Sequence, residues 1–242
     1  MLRNILLVTG TLLAASVAAA VWFKQELSRS TPSTATEITN PSPVVTPFTK
    51  VAKGALKRVS REQLLQTKTC IECDLHGLDL SNLDLNKANL SRSDLSGANL
   101  SRTKLTNATL SGAQLTGANL QHTDSQGADF RNVDLSGANL SHAQHLNINL
   151  TQANLSNTLL VKTELRDANF KQARIDRANL QDASLYGTIF IEAKLINTNL
   201  NGADLRYANL HKARLSGTDL SNTRLDWAIM PDGTSYQGTT PY

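Results

Sequence analysis

The stretch SGANLSRTKLTNATLSGAQLTGANL, residues Ser96 to Leu120, returns a leucine at every fifth position. An amphipathic helix needs apolar residues at a mean spacing of 3.6 and a half-buried strand at 2, so a period of five belongs to neither. The unit that sets it is larger and repeated. Followed outward, the register runs from Leu75 to Met230 without an insertion, giving thirty-two centres, of which thirty are Leu, Ile, Phe or Met. Two residues before each centre stands Ala eighteen times and Thr eight times; the other six are Cys73, Leu78, Leu83, Ser93, Val133 and Ile148. The remaining positions are dominated by Asn, Asp, Ser, Gly, Lys, Arg and Gln, so two side chains in five point inward and three outward. On that reading Leu155 is structurally obligatory, while a polar neighbour such as Asn154 tolerates change.

In these units, for example Ala98-Asn99-Leu100-Ser101-Arg102, the sequence resembles the pentapeptide-repeat family with its A-(D/N)-L-x-x motif, over about two thirds of the chain. Thirty-two units in one register are a strong signal. The resemblance implies an all-β solenoid, a right-handed quadrilateral β-helix in which four pentapeptides make one coil. Residues 71–230 would then form about eight coils, roughly 38 Å long at about 4.8 Å per coil. The run Thr67 to Leu75, TKTCIECDL, also looks like the opening of cyanobacterial and chloroplast-lumen members.

Before the repeats, the twenty residues between Arg3 and Lys24 carry no charge and are mostly apolar. As a helix they would span roughly 30 Å, a bilayer core. Residues 1–27 are therefore expected to be a transmembrane anchor or a signal peptide; Trp22 and Phe23 favour the anchor, while Ala18-Ala19-Ala20 offers a cleavage site. Residues 28–50 hold four of the six prolines among Ser and Thr and read as an extended linker. In the basic segment 51–69, Ser60 and Gln63 have capping-box spacing and Val59 and Leu64 staple spacing. These predict a short helix whose Leu64 and Leu65 cover the first coil. The solenoid is assigned to 70–230 and a C-terminal cap to 231–242, with a turn at Met230-Pro231-Asp232-Gly233 and Tyr236 folding over the last coil.

The formal charge of +4 lies in the N-terminal arm: residues 1–69 carry nine Lys/Arg against three acids, and residues 70–242 fifteen against seventeen. The nearly neutral solenoid argues against a nucleic-acid-binding face. The only cysteines, Cys70 and Cys73, fit either a thiol redox pair or a structural pair, disulfide or buried thiols, fastening the cap. Two centres break the apolar rule. Ser125 and His145 lie twenty residues apart and are expected to stack as a polar niche for a small ligand or ion, as a Ser–His hydrogen bond, or at a bulge where Leu146 turns inward. Tyr186, Ile189, Ile191 and Ile196 fall within eleven residues and are expected to converge at one corner as a partner contact.

No constellation of acid, base and nucleophile is visible, and no cofactor or metal is expected. The expected role is a non-enzymatic scaffold or protein-binding module, exported or membrane-tethered in the periplasm or thylakoid lumen, with an unknown protein partner or a second copy of itself. The alternatives are a DNA mimic acting on a topoisomerase, an activity the resemblance brings with it, and a redox protein using Cys70 and Cys73. Lys104, Arg131, Arg166, Arg174 and Arg214 interrupt the acidic outward residues, which weakens the mimic reading.

Overall fold

The computed structural model describes residues 56–238. The expected anchor or signal, the linker, residues 51–55 and residues 239–242 lie outside them. Among the described residues no helix is long and apolar enough to cross a membrane.

Each pentapeptide forms one side of a four-sided coil. Parallel bridges join residues twenty apart on all four sides, as in Asp74 with Asp94, Asp79 with Asn99, Asp84 with Lys104 and Asn89 with Thr109. One such column runs from Thr69 through Asn89 to Ile229 without a slip. The bonds between coils follow one pattern: the N–H of Leu100 donates to Asn119 O at 2.7 Å, and the N–H of Asn119 donates to Ala98 O at 3.0 Å. Four centres per coil fill the axis, and every centre from Leu75 to Leu210 is buried. Phe170 and Phe190 stack there, ring centroids 4.9 Å apart.

The side ends in a turn. Ala98 N–H donates to Leu95 O at 3.0 Å, and Gly97 between them has φ +65°, the positive φ that a type II turn demands at its third residue. At Gly127 a Cβ would also come within 2.6 Å of Asn107 Oδ1, so bare backbone suits that corner. Most corners nevertheless carry a side chain, including Lys87, Asn107, Tyr207 and Trp227, all with φ between 56° and 63°. Left-handed backbone costs such residues roughly 1–2 kcal/mol. A bond to the next coil offsets it: Tyr207 N–H, for example, donates to Asp226 O at 3.0 Å.

Asn and Asp just before the centre do more than face water. Asn99 Oδ1 accepts the N–H of Ser101 at 3.1 Å, and Asn154 Oδ1 accepts both the N–H of Ser156 at 3.2 Å and its hydroxyl at 2.7 Å. These Asx turns hold the chain at the corner. Asn154 also donates to Asp134 on the preceding coil, so the expectation that this position tolerates change is corrected. Threonine at the small inward position binds a backbone carbonyl, across coils at Thr103, whose hydroxyl donates to Leu80 O at 2.7 Å, and Thr158, to Leu135 O at 2.9 Å, and within the coil at Thr123 and Thr188. The hydroxyl thus meets a carbonyl instead of lying unpaired in the axis.

At the N-terminal end, strand β1 (Lys57–Arg58) pairs in parallel with β2 (Cys73–Asp74), adding one side above the first coil. Helix α1 (Arg61–Thr67) follows, with Ser60 as N-cap and both bonds of the capping box formed with Gln63. Leu64 is fully buried, whereas Leu65 remains 37% exposed, so one leucine covers the axis where two were expected. At the other end Gly233 N–H closes a turn on Met230 O, Ser235 pairs antiparallel with Ile229, and Tyr236 packs against the core. No coil follows Leu215 and Leu220, which stay half-buried.

Candidate functional site

Cys70 and Cys73 form a disulfide with both residues almost wholly buried. The hydroxyl of Ser93 sits against them, accepting the N–H of Cys73 at 3.0 Å and donating to Cys70 O at 2.6 Å. Because Cys73 also pairs with Lys57, the bridge lies where the cap strand meets the first coil.

Ser125 and His145 occupy one side of adjacent coils, their neighbours Asp124 and Gln144 being bridged. Both are fully buried, and neither Ser125 Oγ nor either His145 nitrogen has a hydrogen-bond partner among the described residues. The expected Ser–His bond is therefore absent. The bulge is absent too, since bridges continue from Asp124 through Gln144 to Glu164 and Leu146 stays outward and half-buried. Burial alone lowers the His145 pKa to about 4, because nothing in the dry axis stabilises an imidazolium. The two residues thus form an unsatisfied polar layer in an otherwise apolar column.

The expected convergence of Tyr186, Ile189, Ile191 and Ile196 is corrected by the coil. Ten residues are half a turn, so Ile196 lies across the coil from Tyr186, and Ile189 and Ile191 fall on the side and corner between. What meets Tyr186 comes from the next coils. Its ring lies 5.2 Å from that of Tyr207, and the Arg206 guanidinium sits 5.6 Å from its centroid. Trp227 holds the same corner one coil further on. Tyr186, Tyr207 and Trp227 are 36%, 52% and 55% exposed, and Ile229, also exposed, follows Trp227 on the adjoining side. Arg206 is fixed by two bonds to Asp204, at 2.8 and 2.7 Å, and that pairing holds the Asp204 carboxyl below its usual pKa.

Some of the acidic groups on the surface are paired with arginine. Arg131 binds Asp129, Arg166 binds Glu164 and Arg174 binds Asp176, each at 2.7–2.8 Å. No group of three or more His, Cys, Asp or Glu among the described residues is placed to hold a metal ion.

The pentapeptide-repeat family model matches eight copies over residues 73–112, 113–144, 148–187 and 183–222, more than half of the sequence. The chain belongs to the pentapeptide-repeat family, and its fold is a right-handed β-helix. Among solved structures it is similar to HetL, a pentapeptide-repeat protein involved in heterocyst differentiation regulation in Nostoc sp. strain PCC 7120. The identity is 31% over 69% of this chain and 89% of that one, with a TM-score of 0.30. A pentapeptide-repeat protein of the Arabidopsis thaliana thylakoid lumen is 26% identical over 55% and 77% of the two chains, TM-score 0.24. QnrB1, a plasmid-mediated fluoroquinolone resistance protein, is 21% identical over 70% and 89%, TM-score 0.37. No curated protein sequence matches the chain significantly. Members of the family are generally non-enzymatic structural or binding proteins.

Proposed function

We propose that this chain is a non-enzymatic protein-binding module whose solenoid of about eight coils is carried outside the cytoplasm by the N-terminal segment. The observation that carries the binding role is the exposed corner of Tyr186, Arg206, Tyr207 and Trp227, with Ile229 beside it. Tyr, Trp and Arg dominate the energetics of protein contacts, because each combines a large apolar face with a polar handle. A corner built on consecutive coils presents them rigidly, so little side-chain entropy is lost on docking. Export is supported by the uncharged segment between Arg3 and Lys24, the proline-rich linker after it, and a paired, buried disulfide of the kind that lasts in an oxidising compartment.

The DNA-mimic alternative needs a continuous strip of negative charge, and the ion pairs of Asp129, Glu164, Asp176 and Asp204 count against one. The redox alternative needs an accessible sulfur, and the burial of Cys70 and Cys73 counts against that. Proximity labelling in the native cell tests the binding reading. Tyr207→Asn and Trp227→Asn, chosen because Asn accepts the left-handed corner, should abolish labelling of a partner that the wild type labels; an unchanged set of labelled proteins would refute it. Protease added to spheroplasts tests export, since cleavage near Pro41 should release the solenoid. Full-length protein in the soluble cytoplasmic fraction would refute the tether.

A further inference from the structure

His122 and His142 occupy the same corner of consecutive coils, with φ of 59° and 60°. Their rings are stacked, centroids 5.4 Å apart and planes within 15°. Both are exposed, and none of the four ring nitrogens hydrogen-bonds to another described residue. The backbone beneath them is fixed: His122 N–H donates to Ser141 O and His142 N–H to Val161 O, so the two Cα positions are held one coil apart. The spacing is therefore a property of the solenoid and does not depend on the side chains.

We propose that His122 and His142 form a surface two-histidine site for a borderline divalent transition-metal ion such as Zn2+. Neutral imidazole nitrogen is the characteristic donor for Zn2+, Ni2+ and Cu2+, whereas Mg2+ and Ca2+ require oxygen. To hold one ion, rotation about the exposed Cβ–Cγ bonds, a soft torsion, must bring one nitrogen of each ring to about 2.0–2.1 Å from a shared point. Water completes the coordination, because no third His, Cys, Asp or Glu is placed to join. Arg102 and Lys162 hold the same corner one coil to either side, and their charge weakens the attraction for a cation. Their long side chains extend into solvent, where salt screens them, and Asp124, two residues beyond His122, supplies an opposing charge. A bound ion would tie two consecutive coils together, and so would stabilise the fold by mass action.

Calorimetric titration of the full chain with zinc chloride at pH 7.5 tests the site. One ion should bind per chain, magnesium chloride should give no heat, and His122→Asn and His142→Asn should each weaken zinc binding at least tenfold. Asn is chosen because it holds the same left-handed corner on other coils, at Asn82 and Asn222. His211→Asn, distant on the coil, should leave the affinity unchanged. A second measurement needs no variant: zinc should protect His122 and His142 from diethyl pyrocarbonate, read by mass spectrometry. Absence of binding, unchanged affinity in both corner variants, or protection at other histidines would overturn the proposal.

Discussion

Acidification should weaken this solenoid through His145, and the effect can be worked out from its place in the axis. The imidazole is fully buried without a partner, which lowers its pKa from 6.5 to about 4. Above pH 6.5 the group is neutral in both folded and unfolded chains, so it adds no pH dependence. Below that, the unfolded chain takes up a proton that the folded chain refuses, and stability falls with pH until the folded value is passed. The difference of 2.5 units corresponds to about 3 kcal/mol lost by pH 4, and about 2 kcal/mol by pH 5. His145→Leu removes the titration and continues the column of Leu105, Leu165 and Leu185. It should raise stability at pH 7.5 as well, since two orphan nitrogens leave the core. Denaturant midpoints of wild type and variant between pH 7.5 and 4.5 provide the assay, and the exposed histidines cancel in the difference. Parallel curves for the two proteins would refute the reasoning, because they would mean that the imidazole titrates equally in the folded and unfolded chain.

Leu155→Asp places a carboxylate among fully buried centres and should cost more than about 4 kcal/mol or prevent folding, as a thermal melt or a loss of soluble protein would show. Asn154→Ser should cost about 1–2 kcal/mol, because it loses the bond to Asp134 and disturbs the turn over Ser156; a melt unchanged from wild type would contradict the Asx assignment. Cys73→Ala should lower the melting temperature while leaving the circular dichroism of the repeats intact, since contacts between the later coils do not involve the cap. Exchange of the wild-type disulfide with small thiols should be slow until the first coil opens, and rapid turnover would revive the redox reading.

A strict period of five assigns inward and outward positions by counting alone, because each unit must place its centre on the axis for the next coil to stack. The inward set was legible for that reason, and the capping box at Ser60 and the turn at Met230 from their own residue spacing. Each is a local pattern, complete within a few residues. The Asx role of Asn154 was not legible, since Asn and Asp are equally at home in water, and only the corner geometry shows which amide their oxygens meet. Strand β1 was missed because two exposed basic residues, Lys57 and Arg58, carry no strand signal; the open edge of the first coil recruits them.

The contacts were least legible of all. Tyr186, Ile189, Ile191 and Ile196 are neighbours in sequence and dispersed around a coil, whereas Tyr186 and Tyr207, like His122 and His142, are about twenty residues apart and meet at a corner. The sequence by itself determined that there is a solenoid and which side chains fill it, because burial follows the period of the repeat. Only the tertiary structure decided which surface residues touch and which core atoms go unpaired. Twenty residues per coil says which positions share a corner, but which side chains turn toward each other there, and which core atoms find no donor or acceptor, is set by rotamers and bonds between coils that no window as short as the repeat contains.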